Sequence, residues 1–245
     1  MEVAKKKDLP VISTIQRNDF VEIKFTGYSN GNIFDSNIDE DLKKIDPNAK
    51  PKETIVIVGE GMLVPGFDKE LEGKEIGKDY EIKVPAKEGF GERRRELVKT
   101  IPLKVFTEKK INPYPGMVLA IDNGLARIIT VSGARVITDF NNPLAGKDLV
   151  YKFKIIRKMT DDKEKAKVVF EQVLRFVPDF ELKENETIVK GPKVLERFVD
   201  ALKEKFKELI GKELKFSLVE EKLEEKKEDR EETKKKEGEK NEKEK

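Results

Sequence analysis

No cysteine, histidine or tryptophan occurs in the 245 residues. Without cysteine the chain has no disulfides, no thiolate nucleophile and no thiolate-held metal. Without histidine it lacks the commonest metal ligand and general base. An excess of one charge is also missing. Lys and Arg number 51 against 49 Asp and Glu, a net charge of +2, so the whole-chain field gives little reason to expect nucleic acid as a partner, despite the Lys runs. No apolar run approaches the roughly 20 residues of a membrane span. The N-terminal stretch MEVAKKKDLPVISTIQRN lacks a signal-peptide core. These absences predict a cytoplasmic protein without a membrane partner, a metal or a cofactor. What is abundant is charge, at 41% of residues and dominated by Lys and Glu, a composition that leans towards surface ion-pair networks of the heat-adapted kind.

From Asp19 the stretch DFVEIKFTGYSNGNIFDSN alternates at Val21, Ile23 and Phe25, which predicts a half-buried strand and then a hairpin turn over 29–32. Residues 38–52, interrupted by Pro47 and Pro51, read as a surface loop or insertion. TIVIVG is a continuous apolar run suited to a strand buried on both faces. GEGMLVPGFDKELEGKEIG spaces Leu63, Phe67 and Leu71 by four and places Gly73 after them, predicting a short amphipathic helix. KDYEIKVPAKEGFG supplies a strand through Tyr80, Ile82 and Val84, then a Pro/Gly loop.

Beyond Gly91, short β-rich runs separated by Gly, Pro and Asn-Gly predict a small β module, and Leu149, Tyr151, Phe153 and Ile155 mark a strong strand after it. Thr160-Asp161-Asp162 is an N-cap cluster for the helix KEKAKVVFEQVLRF, and FELKENETIV is weakly strand-like. Between Pro192 and Gly211 lies the clearest helix, with Val194, Phe198, Leu202, Phe206 and Leu209 assigned to one face. LKFSLVE closes with a strand. From Glu220 onward only Leu223, Thr233, Gly238 and Asn241 are uncharged, which predicts a disordered tail or a frayed helical extension. Gly27, Gly31, Gly59, Gly66 and Gly91 read as turn residues. GEGMLVPG is not a phosphate loop, since no Gly-Lys-Ser/Thr follows, and ERRRE, with its flanking glutamates, reads as a solvated hinge.

The order of these pieces carries more than any one of them. VEIKFTGYSNGNIFDSN, then GEGMLVPGFDKELEGKEIGKDYEIKVPAKEGFGE, then LVYKFKII resembles the FKBP family of peptidyl-prolyl cis-trans isomerases. Within that family the long interruption before DFNNPLAGKDLVYKF is similar to the insert in the flap of SlyD-like and long archaeal members. The resemblance implies an α+β fold: an FKBP-like antiparallel half-barrel sheet wrapped on a short helix, with an inserted small β domain and a C-terminal α/β domain. Its divisions are 1–92 and 144–160 for the catalytic domain, 93–143 for the insert-in-flap domain, 161–222 for the C-terminal domain and 223–245 for the tail. Carried over position by position, it implies Asp35, Phe34, Phe90 and Tyr151 as catalytic residues and Phe25, Met62, Leu63, Val64 and Phe67 as substrate-binding residues. Phe25 and Phe90 stand where the family often has tyrosine, and Phe67 where it often has tryptophan. The metal-binding His/Cys tail of SlyD proteins has no counterpart here.

This chemistry suits a chain without nucleophiles. Rotation about an X-Pro bond breaks no covalent bond, and its barrier of roughly 18–20 kcal/mol comes from amide resonance. The twisted transition state loses charge separation, so an apolar, water-poor groove favours it over the planar amide. Asp35 is expected to orient or to act electrostatically, not to transfer a proton. Taken singly, Asp35 reads as a turn aspartate and the aromatic residues as sheet core. The implied function is a prolyl isomerase that accelerates folding of unfolded or proline-containing polypeptides, its insert binding unfolded chains as a chaperone. The competing reading is a binding-only holdase with a degraded groove. The C-terminal helix face allows a homodimer through that domain, or packs on its own strands.

Overall fold

The computed structural model describes residues 14–121 and 124–219. The predicted tail from Glu220 and the N-terminal 1–13 lie outside the described residues. The described residues fall into two compact units that divide between Met159 and Thr160. No helix among them is long and apolar enough to cross a membrane.

The first unit opens with β1 (Phe20–Ser29) and β2 (Asn32–Ser36), an antiparallel hairpin. Its two-residue loop is Asn30-Gly31, with φ of 50° and 78°. Two successive positive φ values are what a tight turn matched to strand twist requires, and Asn-Gly supplies them at little cost. Residues 38–52, expected as a loop, contain the helix α1 (Asp39–Ile45), with Asp39, Glu40 and Asp41 in its first turn and Lys43 and Lys44 in its last. That charge order favours the helix dipole, and the absence of any buried residue in α1 hid it from hydrophobic periodicity.

β3 (Thr54–Ile57) pairs with the first half of β1, while β2 pairs with its second half. TIVIVG is thus a peripheral strand: Thr54 and Ile55 are only half-buried, whereas the consecutive Val56, Ile57 and Val58 are buried, so the expected cover on both faces holds for its second half alone. After α2 (Pro65–Leu71) and β4 (Asp79–Val84), the chain leaves the sheet and returns as β9 (Leu149–Lys158). The sheet order is β2-β1-β9-β4. Phe67 and Leu71 of α2 are fully buried and pack into the cluster of Val21, Ile23, Phe25, Ile82, Val84 and the alternate β9 residues Leu149, Tyr151, Phe153 and Ile155. A helix this short is marginal alone, so burial of Phe67 and Leu71 against the sheet holds it.

Between β4 and β9 lie β5 (Val98–Pro102), the helix α3 (Leu103–Glu108), β6 (Val118–Ile121), β7 (Gly124–Ser132) and β8 (Arg135–Asp139). They form a four-stranded antiparallel sheet of order β5-β8-β7-β6. α3 is not legible in a reading of this stretch as β-rich. It buries Phe106 against Ile128 and Val136, a core of few residues.

The second unit consists of α4 (Asp162–Leu174), β10 (Asp179–Leu182), β11 (Glu186–Gly191), α5 (Glu196–Ile210) and β12 (Glu213–Leu218). The Asp161 carboxylate accepts the Glu164 N–H at 2.8 Å, capping α4. FELKENETIV makes two strands, not one: β10 and β11 are antiparallel, and β11 pairs in parallel with β12 across the α5 connection. Phe170 stacks on Phe206 at 5.4 Å and meets Phe180 edge-on. The expected face of α5 needs correction. Leu202 and Phe206 are buried with Val199, but Val194 and Phe198 are 65% and 55% exposed. The α-helical turns begin only at Glu196, after a 3₁₀ turn over Lys193–Leu195, so the 3.6-residue count cannot be run back to Val194.

Candidate active site

β1 supplies Phe25, β2 supplies Phe34 and Asp35, the β3–α2 connection supplies Met62, Leu63 and Val64, α2 supplies Phe67, and β9 supplies Tyr151. Phe90 comes from the segment after β4. Phe25, Phe67 and Tyr151 are buried, and Phe34, Met62, Leu63, Val64 and Phe90 pack half-buried against them. Five rings interlock. Tyr151 stacks on Phe67 at 4.5 Å and 28°, Phe34 meets Tyr151 edge-on at 5.8 Å, and Phe90 meets Phe34 edge-on at 6.1 Å. Phe25 lies edge-on to Phe67 at 6.0 Å. Such contacts add about 0.5–1.5 kcal/mol per pair beyond area burial.

Asp35 sits in register with Gly27 of β1, which is in turn in register with Tyr151 of β9, so the three align across three strands. The Asp35 side chain is exposed at the rim. Its apolar neighbours nevertheless strip enough water to raise its carboxyl above the usual aspartate value of 3.8, partly offset by the Ser36 backbone amide. Tyr151 is 4% exposed, and burial, with the Asp35 charge second, pushes its hydroxyl up to about 12. Among the described residues the Tyr151 hydroxyl has no hydrogen-bond partner. Nor do the backbone N–H groups of Leu63 and Val64.

Several residues that shape this site were not singled out in the sequence. Asp68, buried on α2, accepts the Gly59 and Gly61 N–H groups at 2.9 Å each and so fixes the loop leading to Met62, Leu63 and Val64. The Asn37 amide stands in for a strand partner beside Phe25: its oxygen accepts the Phe25 N–H and its NH₂ donates to the Ile23 carbonyl, both at 2.8 Å. Thr26 donates to Asp41 of α1 at 2.8 Å and lies 2.9 Å from the Ser36 hydroxyl. Polar residues flanking a strand carry no periodic signal, which is why their partners stayed hidden.

Two glycines read as turn residues are something else. Gly27 lies within β1, where a β-carbon would come 2.7 Å from Phe34 Cζ and 3.0 Å from Tyr151 Cε1. Gly66 lies in α2, where a β-carbon would meet Val84 at 2.7 Å. Both are demanded by close approach, not by a turn.

A depression of about 470 Å³ elsewhere on the sheet is lined by Lys24, Asp79, Glu81, Lys152 and Lys154. Four of its five charges are matched by the pairs Lys152–Glu81 and Lys154–Asp79, which leaves Lys24 and no convergent pair of groups for chemistry.

The chain is 32% identical over 148 residues to the short-type peptidyl-prolyl cis-trans isomerase of Methanocaldococcus jannaschii, covering 59% of this chain and 94% of that one. It belongs to the FKBP family. Residues 12–107 match the FKBP-type peptidyl-prolyl cis-trans isomerase family, and residues 99–144 match the FKBP26 IF domain. The FKBP-type isomerases SlyD of Haemophilus influenzae and Aeromonas hydrophila are 30% and 29% identical over 111 and 119 residues, or 40% and 48% of this chain. The chain spans about half the length of these two relatives, 53% and 56%. As an FKBP-type peptidyl-prolyl cis-trans isomerase it needs no nucleophile, which accords with a site built from rings, one carboxylate and one phenol.

Proposed function

We propose that the ring cluster around Phe67 and Tyr151 is the groove in which this FKBP-type isomerase twists the amide before proline. One observation carries the reading: a phenol whose ring is buried among four phenylalanines while its hydroxyl, without a protein partner among the described residues, stays open to solvent. A donor that stays open at the edge of an apolar ring cluster is available to a substrate carbonyl, which suits Tyr151. In this reading Phe25, Phe34, Phe67 and Phe90 exclude water from the amide, while the Tyr151 hydroxyl and the Leu63–Val64 backbone N–H groups donate to substrate carbonyls. Donors that meet the twisted geometry better than the planar one lower the barrier. Asp35 orients and polarises from the rim. Burial, with the Asp35 charge second, keeps the phenol protonated, so Tyr151 acts as a donor throughout the physiological range.

The insert, taken as 93–143, is proposed to bind unfolded chains. Val118 and Leu125, on paired strands, are 57% and 66% exposed, and Val105, Tyr114, Ile129 and Ile137 are also open. Holding a client beside the groove raises the effective concentration of its prolines. The C-terminal domain, taken as 161–222, exposes Val194, Phe198 and Leu218 and is proposed as the dimer-forming surface, with sedimentation velocity as its test.

The deciding experiment is protease-free catalysis of a proline-limited refolding reaction by the full chain. Acceleration by wild type, loss with Phe90→Ala, and retention of peptide activity when Glu92 to Asn141 is replaced by a short loop are the expected results. Suppressed aggregation with an unchanged slow phase would replace the isomerase with a holdase.

A further inference from the structure

The segment that leaves β8 runs back alongside the segment that leaves β4, and the two are pinned at successive points. Ala86 N–H donates to the Asp148 carboxylate at 3.0 Å, and Gly146 N–H donates to the Gly91 carbonyl at 2.8 Å. Next comes a reciprocal pair: the Asn141 side-chain oxygen accepts the Arg94 N–H at 2.8 Å, and its NH₂ donates to the Arg94 carbonyl at 2.9 Å. Asp139 braces this amide, accepting from the Asn141 backbone N–H at 2.9 Å and from its NH₂ at 2.7 Å. Arg93 closes the set on Asp139 through Nε at 3.1 Å and Nη2 at 2.7 Å.

The pins fall into two groups. Those at Ala86 and Gly91 bracket Phe90, whereas those at Arg93 and Arg94 stand at the mouth of the insert. A two-chain crossing held only by backbone contact would swivel. An amide that satisfies both the N–H and the C=O of one residue fixes direction as well as distance, as a strand partner does. Asn141 is itself buried, so water competes poorly for these bonds.

We propose that Asn141 is a positioning residue: its clasp on Arg94, braced by Asp139 and Arg93, holds the insert in one direction relative to the groove, so that a client bound on the insert presents its proline to Phe90 and Tyr151. The inference rests on the isomerase and client-binding readings above, and its test separates from theirs. Because the chain has no cysteine, Lys43→Cys and Lys109→Cys in the full-length protein accept spin labels at those two exposed positions alone. The distance distribution between them is expected to be narrow. Asn141→Ala should at least double its width and lower catalysed protein refolding severalfold, while kcat/KM on a short Xaa-Pro peptide stays within twofold of wild type. Arg93→Ala, a change at a side chain 53% exposed, loosens the same clasp without opening a core and should act in the same direction.

An unchanged distribution in both variants would overturn the clasp. A widened distribution with undiminished protein refolding would overturn its role in positioning. A wild-type protein without peptide activity would instead refute the isomerase reading, and the label distances would still decide the clasp.

Discussion

Phe67 of α2 and Tyr151 of β9 stack with ring centroids 4.5 Å apart. The helix that closes the sheet and the strand that completes it after the insert therefore meet at one phenol. That contact joins the stability of the first unit to its chemistry, and it separates two substitutions at one position. Tyr151→Phe keeps the stack and removes only the hydroxyl. We expect kcat/KM on an Xaa-Pro peptide to fall about tenfold, or ~1.4 kcal/mol of transition-state stabilisation, with an unaltered urea midpoint. Tyr151→Ala should also cost about 3–5 kcal/mol of stability. Equal activity of Tyr151→Phe and wild type would remove the hydroxyl from the mechanism.

Gly27→Ala tests the close approach. A methyl 2.7 Å from Phe34 and 3.0 Å from Tyr151 must push both rings aside, an overpacking cost of about 1–3 kcal/mol. Chemical denaturation should show that loss together with reduced peptide turnover. A neutral result would mean that the rings relax freely.

Asp68→Ala leaves the Gly59 and Gly61 N–H groups without their acceptor. Both glycines are exposed, so water takes up their N–H groups and the expected loss is the net worth of the two hydrogen bonds, about 0.5–1.5 kcal/mol each, accompanied by a higher KM as the Met62–Val64 loop loosens. Faster amide exchange confined to residues 59–64 would locate the effect, and protection there equal to wild type would refute it.

The pH dependence of stability should carry opposite signs at two aspartates. Asp35 is raised above 3.8 by desolvation, so the fold favours its protonated form. That contribution is complete below the unfolded value and is lost as pH rises through the folded value. Asp35→Asn should therefore raise Tm at pH 7, with a gain that shrinks towards pH 3. At Asp139 burial pushes upward, but hydrogen bonds from Asn141 and Arg93 outweigh it and lower the pKa. Its contribution is present above the unfolded value and is lost as pH falls through the depressed folded one. Asp139→Asn should accordingly reduce Tm at neutral pH and approach wild type in acid. Thermal scans across that range check both signs.

On the insert, Val118→Glu with Leu125→Glu alters exposed positions while leaving the Phe106, Ile128 and Val136 core alone. Light scattering of an aggregating client should show lost protection, with peptide isomerisation kept. Protection equal to wild type would place client binding elsewhere.

Much of the fold was legible because burial writes itself into period. Leu149, Tyr151, Phe153 and Ile155 alternate, and all four are buried. Asn30-Gly31 announces its turn, and Asp161 its cap. α1 escaped because it buries nothing, and β10 and β11 were merged because a short hairpin in charged sequence has little apolar pattern. The expected α5 face failed at Val194, where a 3₁₀ turn breaks the helical count, and at Phe198, which lies within the helix next to Val199, the residue that is buried with Leu202 and Phe206 instead.

The candidate site divided along similar lines. Its apolar residues were named from the order of motifs, and all of them lie in one cluster. Asp68 and Asn37 were not, because a hydrogen bond between residues well separated in the chain leaves no trace in the local spacing of either. By itself the sequence determined the excluded chemistries, the strand periods and the resemblance to one family, since these depend on residue type and order along the chain. Only the tertiary structure decided that Gly27 makes room for two rings, that Asp35 loses water while still at the rim, and that Asn141 clasps Arg94. Each of these is a relation across space, set by packing and desolvation that come into being only when the chain has folded.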